Sequence, residues 1–313
     1  MQLQNVRVLG PAGLSPPTSV AINAAGAADR DASGLILSPG WLDLHAHLRD
    51  PGFLHKETLQ TGATSAAFGG FTHIVAMANT DPVIDRPELL RELVARAAAL
   101  PIGVSFVAAV TMGLEGRSLT DAAALRRAGA VALSDDGRHL MDQATLRRAL
   151  TAAAEAGLPV LIHAQIERLG KGPESEAAAV TQALEAVESV PGARLHIQHV
   201  STHAAVELIR TAKRHRLLVT AEATPHHLAL TAQDVTALGP HGAVNPPLRS
   251  VDDRDALRLA LAEGVIDAIA TDHAPHDVGA KAAGANGFHG FETALPVVMG
   301  LGLDERVLYR ACV

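Results

Sequence analysis

The run Gly40-Trp41-Leu42-Asp43-Leu44-His45-Ala46-His47-Leu48-Arg49 sets the reading of the whole chain. Its apolar first half has the length and composition of a buried strand, and its polar second half marks the strand's end. Side chains alternate across a strand, so His45 and His47 point the same way and can grip one metal ion from one side. Neutral imidazole is the commonest protein ligand for zinc-like ions. A solvent-facing polar strand end would read the same way, so the surrounding pattern decides.

Outward from this run, short apolar strand candidates recur at Trp41–Leu48, Thr72–Asn79, Ile102–Thr111, Ala130–Ser134, Pro159–His163, Arg194–Val200, Leu217–Ala223 and Ile266–Thr271. Longer segments with helical spacing lie between them, among them Pro87–Leu100, Ala144–Ala156, Glu174–Val190, His203–His215 and Asp252–Glu263. Pro87 suits a first helical turn, and Gly129, Gly157 and Gly264 follow helices as C-caps. Eight strand–helix units predict an α/β fold, a closed (β/α)8 TIM-type barrel, with an open doubly wound sheet as the alternative. The barrel is assigned to residues 40–313. Residues 1–39 hold the strand candidates Leu3–Leu9 and Gly34–Leu37 around a Pro/Gly turn region, and read as a small β-rich appendage.

In such a barrel the active site lies at the C-terminal ends of the strands. The first strand ends in His45 and His47, the fourth in Ser134-Asp135-Asp136-Gly137, the fifth in His163, and the sixth in Gln198-His199-Val200-Ser201-Thr202. The eighth runs into Ala270-Thr271-Asp272-His273-Ala274-Pro275-His276. Any one of these could cap a helix or sit satisfied in a core. Their placement on one rim points to a shared site. Four histidines and two carboxylates exceed one tetrahedral ion and suit two, with an aspartate as the bridging anion. Either Asp135 or Asp136 could bridge. Metal coordination lowers the pKa of water toward about 7, which supplies a nucleophile near neutral pH.

The composition narrows the function classes. The 313 residues are 48% hydrophobic, enough for a large core, and the net charge of −7 is spread without long runs. That leaves no electrostatic footprint for nucleic acid or an anionic membrane. No uncharged apolar run approaches the roughly 20 residues of a membrane helix, and the N-terminus lacks the pattern of a secretory signal. A single cysteine, Cys312, rules out a disulfide within the chain and fits a cytoplasmic location. The 16 histidines outnumber the 6 Phe, 1 Trp and 1 Tyr.

The motifs together resemble the amidohydrolase superfamily and, within it, the type I branch of dihydroorotase. The resemblance rests on Pro39-Gly40-Trp41-Leu42-Asp43-Leu44-His45-Ala46-His47-Leu48-Arg49-Asp50-Pro51-Gly52, Lys56-Glu57-Thr58, Asn79-Thr80 and Ser134-Asp135-Asp136-Gly137. It continues through His199-Val200-Ser201-Thr202, Pro225-His226-His227-Leu228 and Asn245-Pro246-Pro247-Leu248-Arg249. It ends with Ala270 through His276 and Gly290-Phe291-Glu292-Thr293-Ala294. It covers roughly residues 35–300 in unbroken order.

The resemblance implies two zinc ions: His45, His47 and Asp272 on one, His163 and His199 on the other, and Asp136 as the bridge. Arg49 and Asn79 would hold the substrate carboxylate, while His47, Asn245 and His276 complete the pocket. A guanidinium independently suits bidentate recognition of a carboxylate. The implied reaction is reversible hydrolysis of the cyclic amide of dihydroorotate to N-carbamoyl-aspartate, a step of pyrimidine biosynthesis, with Asp272 as the catalytic base and then acid. Implied partners are an aspartate carbamoyltransferase and a second copy of the chain.

Several positions depart from the family pattern. Gln165 stands two places after His163, where relatives usually carry an acid, and the segment from His163 to His199 is short. Asn286-Gly287 replaces a Phe-Gly pair that often contacts substrate, and the appendage and the C-terminal end both read as abbreviated. Two other functions follow from these features. One is a hydantoinase or allantoinase opening a different cyclic ureide, although those relatives usually bridge their metals with a lysine that Ser134–Gly137 lacks. The other is a catalytically silent dihydroorotase-like scaffold for the transcarbamoylase, although such homologues tend to lose ligands that this chain keeps.

Overall fold

Eight apolar segments lie side by side in chain order and all run parallel in the computed structural model, which describes residues 1–23, 26–138 and 142–313. They are β1 (Trp41–Ala46), β2 (Phe71–Ala76), β3 (Gly103–Ala108) and β4 (Ala130–Ser134), followed by β5 (Val160–Ile162), β6 (Leu195–Ile197), β7 (Val219–Ala223) and β8 (Ala268–Ile269). The sheet closes on itself. Ala46 bridges His273, and the His47 amide donates to the His273 carbonyl at 2.7 Å. The expected barrel forms, and the open sheet does not.

The closing seam explains why β8 is far shorter than the expected Ile266–Thr271. There Asp43 stands in for the ladder: its carboxylate accepts the Thr271 amide at 2.8 Å and the Thr271 hydroxyl at 2.5 Å. β1, β2 and β3 also stop short of their apolar runs. The register of β1 against β2 shifts between Asp43 and Ala46, and Ala46, opposite Ala76, is its last paired residue. An apolar run marks burial, and burial continues past the last ladder bond.

Helices cover the outside of the barrel. Those over Pro87–Ala97, Gln143–Glu155, Pro173–Glu188, His203–Arg214 and Val251–Glu263 fall within a few residues of expectation. Asp142, Thr202 and Ser250 cap three of them through their side chains. Gly129 and Gly264 end helices in the left-handed conformation, at φ 113° and 78°. The main core lies between strands and helices and includes Ile74, Leu90, Phe106, Leu146, Ile197 and Phe291. A smaller cluster of Val75, Met77, Val107, Ala132 and Leu161 alternates with it along the strands and fills the barrel interior.

At the N-terminus, the strand Gln2–Gly10 organises a small mixed sheet. Gly13–Leu14 and Thr18–Ala21 pair with it antiparallel, and Arg30–Asp31 and Ile36–Leu37 pair with it parallel. The helix Glu305–Cys312 lies against this sheet and against the barrel, burying Val307, Leu308, Ala311 and Cys312.

Candidate active site

The polar residues at the strand ends meet in one buried cluster. His45 and His47 leave β1 with ring centroids 5.2 Å apart, and His163 and His199 arrive from β5 and β6 with centroids 4.7 Å apart. Asp136, just past β4, lies between the pairs. The groups His45–His47–Asp136 and Asp136–His163–His199 each bring three potential ligand atoms close enough for one metal ion, and Asp136 is common to both. Its Oδ1 faces His45 Nε2 at 3.6 Å, His199 Nε2 at 3.8 Å and His163 Nδ1 at 3.9 Å, yet has no hydrogen bond among the described residues. A buried carboxylate oxygen facing three imidazole nitrogens at these separations fits a cation among them. Asp272 completes the ring, with Oδ1 at 3.0 Å from His47 Nε2 and 3.6 Å from His45 Nε2.

Three of the four imidazoles are oriented by a hydrogen bond on the nitrogen turned away from the cluster. His45 Nδ1 donates to Glu222 at 2.6 Å, His47 Nδ1 to Asn79 Oδ1 at 2.9 Å, and His163 Nε2 to Gln165 Oε1 at 3.0 Å. Each leaves a lone pair facing the carboxylates, which is how protein metal sites select a histidine tautomer. Burial alone would raise the pKa of Asp136 and Asp272. When His45 and His47 are protonated rather than bound to metal, their positive charge outweighs it and holds both carboxyls below their usual range. Burial and the neighbouring His199 push His163 down to about 4, keeping it neutral.

The neighbouring Asp135 has a different task. Its carboxylate accepts the Val110 and Thr111 amides at 2.8 and 3.0 Å and the Thr111 hydroxyl, so it anchors the chain leaving β3. Arg49, His199 and Asp272 all adopt positive φ, at 59°, 32° and 48°. Such geometry costs about 1–3 kcal/mol per residue and is tolerated where the surroundings over-determine it.

The expected substrate residues divide into two walls. Arg49 and His276 sit side by side, with Arg49 Nη2 3.5 Å from His276 Nε2 and Arg49 Nε donating to the Pro275 carbonyl at 3.3 Å. His276 Nε2 donates to the Asn286 carbonyl at 2.9 Å. Gly287, at φ 138°, lies so close to Ala274 that a Cβ there would meet its carbonyl oxygen at 2.5 Å. Asn245 is on the other wall, donating to Gln165 Oε1 at 3.0 Å. Asn79 is turned to the ligand groups: its amide nitrogen donates to Asp136 at 3.2 Å while its oxygen holds His47. A cavity of about 870 Å³ opens beside His163, lined also by Gln165, Asn245, Arg138 and Lys171.

Several residues that shape the site were not singled out from the sequence. Glu222 is fully buried and holds His45; the signal was a charged acid inside the strand Val219-Thr220-Ala221-Glu222-Ala223, which is otherwise uncharged. Asp50, buried against Arg96 at 2.7 Å and accepting the Leu59 amide, pins the loop that carries Arg49. His273 points away from the cluster. It pairs with Glu57 at 3.1 Å and stacks on Phe291 at 3.8 Å between centroids.

With this geometry in place, relatives can be compared. A family profile described as "Dihydro-orotase-like" matches residues 34–184. A dihydroorotase of Anaeromyxobacter dehalogenans is 46% identical over 309 residues, covering 90% of this chain and 71% of that protein. The chain belongs to the dihydroorotase family. A dihydroorotase of Thermus aquaticus is 43% identical over 270 residues, covering 79% of this chain and 63% of that protein, so the chain spans less than two thirds of this relative. The fold is similar to that of an L-hydantoinase from Arthrobacter aurescens, with a TM-score of 0.86 at 24% identity over 99% of this chain and 80% of that one. Among the described residues no helix is long and apolar enough to cross a membrane.

Proposed function

We propose that this chain is a zinc-dependent dihydroorotase that opens the cyclic amide of dihydroorotate to N-carbamoyl-aspartate and closes it again. The observation that carries the reading is Asp136, a carboxylate shared by two groups of buried histidines and holding one oxygen free of hydrogen bonds among the described residues. His45, His47 and Asp272 would hold one zinc ion, His163 and His199 the other, with Asp136 between them. When bound, the ions would polarise the ring carbonyl and acidify a water molecule.

The chain's own groups do the rest. Arg49, held beside His276 and over the Pro275 carbonyl, presents a guanidinium to the substrate carboxylate. Asn245 and the Asn286–Gly287 turn border the ring. Asp272, a carboxylate 3.0 Å from His47 Nε2 at the edge of the ligand groups, accepts the proton of the attacking water and returns it to the ring nitrogen as the carbon–nitrogen bond breaks. One water is consumed: a C–O and an N–H bond form while an O–H and the ring C–N bond break, and run backwards the same steps close the ring.

The test is metal analysis of the zinc-loaded chain combined with turnover assays on dihydroorotate and hydantoin, each with and without an aspartate carbamoyltransferase. Two zinc ions with turnover of dihydroorotate alone is the expected result. Preference for hydantoin would replace the substrate assignment. Two ions with no turnover under any condition would leave a scaffold for the transcarbamoylase as the better description.

A further inference from the structure

One buried carboxylate touches both ligand groups. Glu222, on β7, is completely enclosed and does not line the cavity beside His163. Its Oε1 accepts the Nδ1 proton of His45 at 2.6 Å and the backbone amide of His199 at 3.2 Å. Its Oε2 accepts the Nε2 proton of His196 at 3.0 Å, and His196 Nδ1 in turn accepts the Thr220 hydroxyl at 2.8 Å. Every proton in this chain points toward Glu222, the arrangement an ionised, acceptor-only carboxylate requires.

The two contacts of Oε1 act on different groups. The first fixes the ring of His45, whose Nε2 faces Asp136 and Asp272. The second holds the backbone of His199, whose φ of 32° is sparsely populated for a residue with a side chain. Among the described residues the Nδ1 of His199 has no partner; its Nε2 meets His163 Nδ1 at 2.8 Å inside the cluster, and the amide contact with Glu222 holds its backbone from outside the cluster.

We propose that Glu222 is a positioning residue for both metal groups, setting the ring of His45 and the backbone of His199 through one oxygen, with His196 and Thr220 holding the carboxylate in place. The proposal rests on the two-metal reading above. Oxygen partners of this kind typically change metal affinity or activity by about 10–100-fold when removed.

Stepwise titration of the metal-free protein with cobalt(II), followed by visible absorption, tests this. A melt of the metal-free protein reports fold separately. Glu222→Gln is expected to melt close to wild type, to bind both ions about 10–100-fold more weakly, and to show altered absorption bands, which report ligand geometry. Unchanged affinities and bands in Glu222→Gln would overturn the proposal, and weakening of only one binding step would overturn its claim on both groups. Should Glu222→Gln fail to fold without metal, His196→Gln decides: a smaller loss in both steps supports the proposal, and wild-type affinities overturn it. A wild-type protein that binds fewer than two ions overturns the two-metal reading itself, an outcome visible before any variant is made.

Discussion

The two ligand groups that share Asp136 are built differently. His45 and His47 come from one strand end, two residues apart, and their outward nitrogens are held by a carboxylate from β7 and an amide oxygen from the loop after β2. His163 and His199 come from separate strands. They meet because β5 and β6 pair in register, with Ile162 opposite Ile197; the outward nitrogen of His163 is held by Gln165 from its own loop, and among the described residues that of His199 has no hydrogen-bond partner. The first group is a local property of one segment, made rigid by its neighbours. The second exists only as far as the barrel does.

The largest expected effect probes the residue attached to the first group. Asp272→Asn should lower turnover about 10²–10⁴-fold, the range of general acid–base catalysis, while much of the metal remains bound. Near-normal turnover with full metal content would remove the proton-transfer role.

Next comes the asymmetry itself. Gln165→Ala should weaken one of the two metal-binding steps about 10–100-fold, and Asn79→Ala the other, as seen by calorimetric titration. If both variants weaken the same step, the two groups do not bind independently and the comparison fails.

A smaller change is expected at the substrate wall. Arg49→Lys keeps the charge but loses the planar fork, so KM for dihydroorotate should rise about 10-fold with kcat and metal content little altered. A matching fall in kcat would mean that Arg49 acts in the transition state as well.

The smallest effect separates the adjacent aspartates. Asp135→Asn disturbs hydrogen bonds to Val110 and Thr111 and should cost about 1–3 kcal/mol of stability in urea unfolding, leaving metal binding intact. Asp136→Asn should do the reverse. Loss of metal in both variants would assign the bridging role to neither aspartate alone.

Much of this was legible beforehand. Strand–helix alternation, Gly129 and Gly264 as helix stops, and the gathering of His and Asp at the same end of five strands follow from periodicity and backbone preference, which act within a few residues. The limits of β1 and β8 were not legible. They depend on Asp43 replacing ladder bonds across a seam between residues more than two hundred positions apart. Nor was the division of labour between Asp135 and Asp136: both are short acids at one strand end, and only the chain leaving β3 shows which carboxylate is held by backbone amides.

By itself the sequence determined the element order, the rim on which chemistry would collect, and a two-histidine grip within one strand end, because each is set by side-chain alternation along a single segment. The tertiary structure alone decided that Asp136 would stand between the histidine pairs, that Asn79 would turn toward His47, and that Glu222 would reach His45 and His199 together. Those contacts join residues far apart in the chain. Their geometry follows from barrel closure and strand register, quantities that no single segment carries.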